Sequence, residues 1–239
     1  MDPEGPKSLV GKTAALGVDI SETQAWEMLF HLEAVLKANE RLNLTAITEH
    51  ETAVERHILD SIALTPCVLR APDGSVADLG SGAGYPGIPI AIASARPMTL
   101  VESIGKKAHF LQMVCTALDH DITVYPGRAE ELSREQPESF ACVTGRAVAR
   151  LASLVELSAP LLQQGGMLLA PKRKSAESEE LPEAQKTARL VGMELLDIVG
   201  YQVSDTAPPS SVFVFARTGE SSVTLPRKPG LAQKRPIGA

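Results

Sequence analysis

The chain has 239 residues, 44% hydrophobic and 22% charged, which suits a globular protein of one large domain or one domain with an extension. Its formal net charge of −6 argues against a protein that coats nucleic acid without selectivity, and no apolar run reaches the ~18 residues of a membrane span. The opening MDPEGPKSLVGK lacks the layout of a secretory leader, and Cys67, Cys115 and Cys142 match neither a zinc pattern nor a disulfide framework, so buried, reduced thiols in the cytoplasm are expected.

Residues 1–20 carry little pattern and are expected to be loosely ordered. Ser21 and Gln24 have the spacing of a capping box, and Trp26, Leu29, Phe30, Leu32 and Leu36 follow at helical intervals. Residues 39–48 interrupt that spacing. A second helix is predicted over 52–70, with Val54, Ile58, Ile62 and Leu69 near one stripe. From Gly74 the rhythm changes. Strands at 76–79, 98–101, 122–125, 140–144 and 167–170 alternate with helices at 87–96, 106–118, 130–135, 151–162 and 177–191. Strands at 194–203 and 212–217 close the series around Pro208-Pro209, with no helix between them. The pattern predicts an α/β, Rossmann-like fold: a doubly wound, mostly parallel sheet with an antiparallel edge hairpin and an N-terminal helical extension. The divisions expected are an extension at 1–73, a cofactor-binding sheet domain at 74–220 and an irregular basic tail at 221–239.

The chemistry concentrates in VADLGSGAGYPGIPIAI, residues 76–92. Gly80, Gly82 and Gly84 alternate through a turn between strand and helix, with Asp78 just before it and Pro86 suited to the first helical turn. Such a turn lets a nucleotide-like cofactor approach the backbone. Gly82, Gly84 and Gly87 also spell the dinucleotide spacing GxGxxG, so an NAD-linked oxidoreductase stays open. An acid at the strand end suits the ammonium of S-adenosylmethionine instead. Glu102 ends the next strand and suits a ribose in either case. Ala129 and Glu130 follow the third strand, and Arg146 follows the fourth. No Ser/His/Asp or metal-ligand constellation stands out, and catalytic residues stay unassigned. The bland readings are a capping role for Asp78 or Glu102, a surface ion pair for Arg146, and a core or surface role for His57.

Taken together, NERLNLTAIT, ERHILDSIAL, the glycine turn, ESIGKKAHFLQ, GRAEE, GRAVA and the tail LPRKPGLAQKRPIG resemble the 16S ribosomal RNA (guanine-N7) methyltransferase G family, also called glucose-inhibited division protein B. The resemblance runs from about residue 21 to the end. It implies a class I methyltransferase that methylates N7 of guanine 527 in 16S ribosomal RNA, within the small ribosomal subunit. It places cofactor contacts on Gly80, Tyr85, Ala129, Glu130 and Arg146, beside Asp78, Gly82, Gly84 and Glu102 from the residue reading. Some positions depart from the family's usual pattern: Gly145 replaces a frequent serine, Glu102 an aspartate, Tyr85 a leucine or phenylalanine, and Pro171-Lys172-Arg173-Lys174 a lysine-glycine. Lys172, Arg173 and Lys174, with Arg227, Lys228, Lys234 and Arg235, are candidate RNA-backbone contacts on a monomer. Asn43, His57 and Asp60 are expected near the substrate pocket. A class I methyltransferase acting on another RNA or a small molecule, and a non-catalytic cofactor-binding module, are the alternatives.

Overall fold

The computed structural model describes residues 4–238. The chain opens with α1 (Glu4–Ala15), where the sequence suggested loose order; Leu9 anchors this helix at 2% exposure. Next comes α2 (Glu22–Leu42), which starts at the predicted box: Gln24 N–H donates to Ser21 Oγ, and Ser21 N–H to Gln24 Oε1. The same Gln24 side chain donates to the Ile92 carbonyl, so the cap also fastens α2 to the sheet domain. The single helix expected at 52–70 is broken into α3 (His50–Ala53), a π-helical turn (Val54–Leu59), α4 (Asp60–Ile62) and α5 (Thr65–Arg70). Pro66 opens the last piece, where its missing N–H removes no helical bond.

The sheet has seven strands. β1 (Val76–Leu79), β2 (Met98–Val101), β3 (Ile122–Tyr125), β4 (Phe140–Thr144) and β5 (Leu162–Arg173) are parallel in the order β3-β2-β1-β4-β5. β6 (Met193–Tyr201) and β7 (Ser210–Arg217) complete it as β5-β7-β6, with β7 antiparallel to both neighbours, as the missing helix between them predicted. Helices α6 (Gly87–Ser94), α7 (Gly105–Thr116), α8 (Ala129–Glu135), α9 (Leu151–Ser158), α10 (Ala176–Glu179) and α11 (Leu181–Leu190) make the crossovers, and α12 (Leu231–Lys234) lies in the tail. β5 begins five residues earlier than predicted, and α9 stops short. A bulge opposite the Gly165-Gly166 pair lets pairing resume from Leu162 to Met167 across 163–166, which reads as a loop in sequence. No helix among the described residues is long and apolar enough to cross a membrane.

Apolar side chains fill both faces of the sheet. On one face, Met28, Leu32, Ile58 and Ile62 of the helical extension join Ile88, Ile90, Leu100 and Leu111 in a single cluster. On the other, Leu132, Leu154, Val155, Phe213 and Phe215 sit under α8, α9 and α11. The tail is not a loose appendage. Ala232 is buried in the second cluster, and Ser153 donates to its carbonyl.

Because the extension and the sheet share one core, Leu32→Ala should cost about 3 kcal/mol and lower both together. Urea unfolding followed by Trp26 fluorescence and by far-UV circular dichroism should give coincident transitions. A separate, earlier Trp26 transition would contradict a shared core.

Candidate functional site

The winding reverses between β1 and β4, and a cleft of about 470 Å³ opens beside their carboxyl ends. Its floor is the glycine turn. Gly80, Gly82 and Gly84 have φ of 65°, 58° and 98°, the left-handed region that side chains avoid. A Cβ on Gly80 would overlap Val148, and one on Gly84 would come within 2.9 Å of the His31 ring. Pro86 takes the cap position ahead of α6 rather than the first turn. Gly87 opens the helix; a Cβ there would strike Leu100 and Asp78, so its place in the GxGxxG spacing is explained by packing.

Asp78 is fully buried at the end of β1. Gly87 N–H donates to its Oδ2 at 3.1 Å, while Oδ1 has no partner among the described residues. Burial pushes the carboxyl up to about 7, with the Ser81 hydroxyl and Gly87 N–H pulling the other way. Glu102 lies across the turn. Its carboxylate accepts from Gly82 N–H at 2.9 Å and from Ile104 N–H at 2.7 Å, so it both braces the glycines and caps the approach to α7. Each of its oxygens keeps a further lone pair for a hydroxyl donor.

The remaining walls come from distant parts of the chain. Arg146 donates to Asp60 Oδ2 at 2.7 Å and to the Arg56 carbonyl at 2.9 Å, and its guanidinium stands 5.8 Å from the Tyr85 ring centre. Asp60 accepts from Tyr201 Oη through its other oxygen at 2.9 Å. Tyr85 touches two imidazoles, stacked on His57 at 4.7 Å and tilted against His31 at 4.6 Å between ring centres. Burial lowers both histidines to about 4, His57 with help from the Arg146 charge, so both are neutral near pH 7. His31 Nε2–H donates to the Ala83 carbonyl, and His57 Nε2 meets Thr45 Oγ1 at 2.9 Å. Asn39 Oδ1 accepts from Leu44 and Thr45 N–H groups, which fixes the loop that carries Thr45.

The structure therefore brings Gly80, Gly82, Tyr85, Arg146, Lys172 and Arg173 round one cleft with His57 and Asp60. Asp78 and Gly84 stand behind the turn. Other expected residues are placed or engaged differently. Asn43 is the left-handed cap of α2 and faces solvent; the polar work in that segment falls to Asn39. Ala129 and Glu130 start α8 at the β3 rim, but Glu130 turns its carboxylate to Gly230 N–H at 2.7 Å, leaving only backbone toward the rim. Arg227 is not a free RNA contact. Its Nε and Nη2 make a two-pronged pair with Glu156, both at 2.7 Å. A glutamate inside the apolar run LASLVELS is the signal that a buried partner is required. Lys172 is likewise occupied, by Glu180 at 3.0 Å and the Ala149 carbonyl at 2.7 Å. Arg173, Lys174, Lys228, Lys234 and Arg235 remain exposed. Gly145 has a local reason: a Cβ would press on Leu154 at 3.1 Å and the Leu79 carbonyl at 3.2 Å. Arg56, Thr45, Tyr201 and His31 belong to the site without having been singled out.

The sequence profile of the rRNA small subunit methyltransferase G family matches residues 24–206. Ribosomal RNA small subunit methyltransferase G of Chloroflexus aggregans is 36% identical, across 96% of this chain and 97% of the relative. The protein of the same name from Roseiflexus sp. strain RS-1 is 38% identical, across 96% and 98%. Among solved structures, M. jannaschii TYW2 in complex with AdoMet has a TM-score of 0.50 at 18% identity, covering 66% of this chain and 74% of that one, a likeness of fold. The profile match across most of the chain and the near end-to-end relatives agree: this chain belongs to the rRNA small subunit methyltransferase G family.

Proposed function

We propose that this chain transfers a methyl group from S-adenosylmethionine to N7 of guanine 527 in the 16S RNA of the small ribosomal subunit, acting as a cytoplasmic monomer. The observation that supports the cofactor most directly is the buried, half-partnered Asp78 carboxylate behind a left-handed glycine turn. An ammonium on the cofactor is the complement to that oxygen, directly or through water, and the turn lets the rest of the molecule lie against bare backbone. The family's RNA substrate is what favours this reading over an NAD-linked or small-molecule enzyme. Gly80, Gly82, Tyr85 and Arg146 would hold the cofactor on the cleft side, Glu102 its ribose, and the Ala129–Glu130 backbone its adenine.

When bound, S-adenosylmethionine supplies a methyl group made electrophilic by its sulfonium. Guanine N7 is a lone pair without a proton, so it would accept that methyl group with no proton to lose. No side chain has to remove a proton. His57 fits that requirement, because at about 4 it is a poor proton acceptor. The chain's part is alignment. The Tyr85 ring is packed beside the turn by stacking on His57 and by a tilted contact with His31, and Arg146 is fixed by Asp60.

Incubation with labelled S-adenosylmethionine and small ribosomal subunits lacking the modification should yield 7-methylguanine at position 527; label on any other atom or base would overturn the assignment. A second outcome concerns pH. Asp78 is protonated below about pH 7 in the folded protein but only near pH 4 in an unfolded chain, so its burial costs stability increasingly between those values and fully above 7. The ionised form is the one that attracts an ammonium. Cofactor affinity measured by calorimetry should therefore weaken as pH falls from about 8 to 6. Asp78→Asn should bind about tenfold or more weakly at pH 8 and lose that pH dependence. An unchanged pH profile in the variant would remove Asp78 from the cofactor site.

A further inference from the structure

Four cations line the cleft: Arg56, Arg146, Lys172 and Arg173. Two of them are consumed within the fold, Arg146 by Asp60 and Lys172 by Glu180. Arg56 and Arg173 differ. Among the described residues, neither guanidinium makes an ion pair or a hydrogen bond, and no acid of the cleft wall faces them in a pair; the one carboxylate lining the cleft, Asp60, is already bound to Arg146 and Tyr201. The two arginines come from different walls. Arg56 sits in the π-helical turn of the extension, a feature frequent at functional sites. Arg173 ends β5 and pairs in register with Ser210 of β7. They are therefore open donors at the border of a site whose deeper cations are neutralised.

We infer that Arg56 and Arg173 grip the RNA phosphates on either side of the guanine held in the cleft, an inference that rests on the RNA substrate proposed above. A guanidinium presents two parallel N–H groups that match a phosphate, and an unpaired one gives up no internal partner when it binds. A base drawn out of its strand carries a phosphate on each side, and two separate walls supply one cation for each. The charge of the whole chain makes local donors necessary: at −6 the protein repels RNA except where unpaired cations gather. The same reasoning removes Arg146, Lys172 and Arg227 from the set of phosphate contacts.

The test uses the full chain and small ribosomal subunits lacking the methyl group, with binding measured across a salt series. Arg56→Gln and Arg173→Gln should each lower the slope of log affinity against log salt by about 0.7, and together weaken binding about tenfold near 0.15 M salt. Arg173→Lys, which keeps the charge, should keep the slope. Calorimetry with S-adenosylmethionine alone should give wild-type affinity in every variant. Unchanged slopes in both glutamine variants would overturn the inference. Loss of cofactor affinity would overturn it as well, by assigning the arginines to the cofactor carboxylate, as would a slope lost in Arg173→Lys. If wild-type protein fails to methylate these subunits, the proposed function itself falls; if it methylates them while the variants keep their slopes, only the phosphate assignment does.

Discussion

The site exists because the sheet changes its direction of growth at β1. Strands β1, β2 and β3 are laid down one way, and the chain then returns to place β4 on the other side of β1. Right-handed crossovers send the segments that leave β1 and β4 to opposite faces, and the gap between them cannot be filled by either. Asp78 and Thr144 are partners in register at that gap. The glycine turn leaves one strand and the loop bearing Arg146 leaves the other, and Val148 lies directly on Gly80 where they meet. The helical extension closes the side that the sheet leaves open, which explains why its residues contribute to the cleft as well as to the core.

Much of the scaffold was legible because short apolar strands lie between glycine, proline and polar breakers. The bounds of β1, β2, β3 and β4 coincide with the prediction for that reason. The failures are equally local. The π-helical turn has an apolar stripe that reads as ordinary helix, and a bulge rather than a loop carries β5 past Gly165-Gly166. Within the site, the glycines, Asp78 and Arg146 were visible because their chemistry is tied to their place beside a strand end. Tyr201 was not. It meets Asp60 from 141 residues away, and nothing in GYQ marks it as a cleft residue. The tail was legible as basic, but its charge suggested a ligand when Arg227 instead answers a buried acid of α9.

Charge inside this molecule is organised by pairing rather than by sign. Several buried or half-buried cations meet a carboxylate, as Arg217 meets Glu138 and Arg227 meets Glu156, while Arg96 is held by backbone carbonyls. This is what desolvation demands, since an isolated buried charge is costly. The histidines take the other route and stay neutral, which lets them serve as flat packing surfaces around Tyr85. The result is a turn flanked by two buried acids, Glu102 held by backbone N–H groups and Asp78 with its ionisation pushed up toward neutrality by burial.

Asp60 serves two masters, Arg146 on one oxygen and Tyr201 on the other, at separations of 86 and 141 residues along the chain. Loss of the carboxylate leaves a phenol without a partner and a guanidinium with only the Arg56 carbonyl, whereas loss of either partner leaves the other bond standing. Inheritance should feel that asymmetry. Drift at position 201 can be absorbed by one lineage without further change, but a lineage that alters position 60 must rewrite position 146 with it.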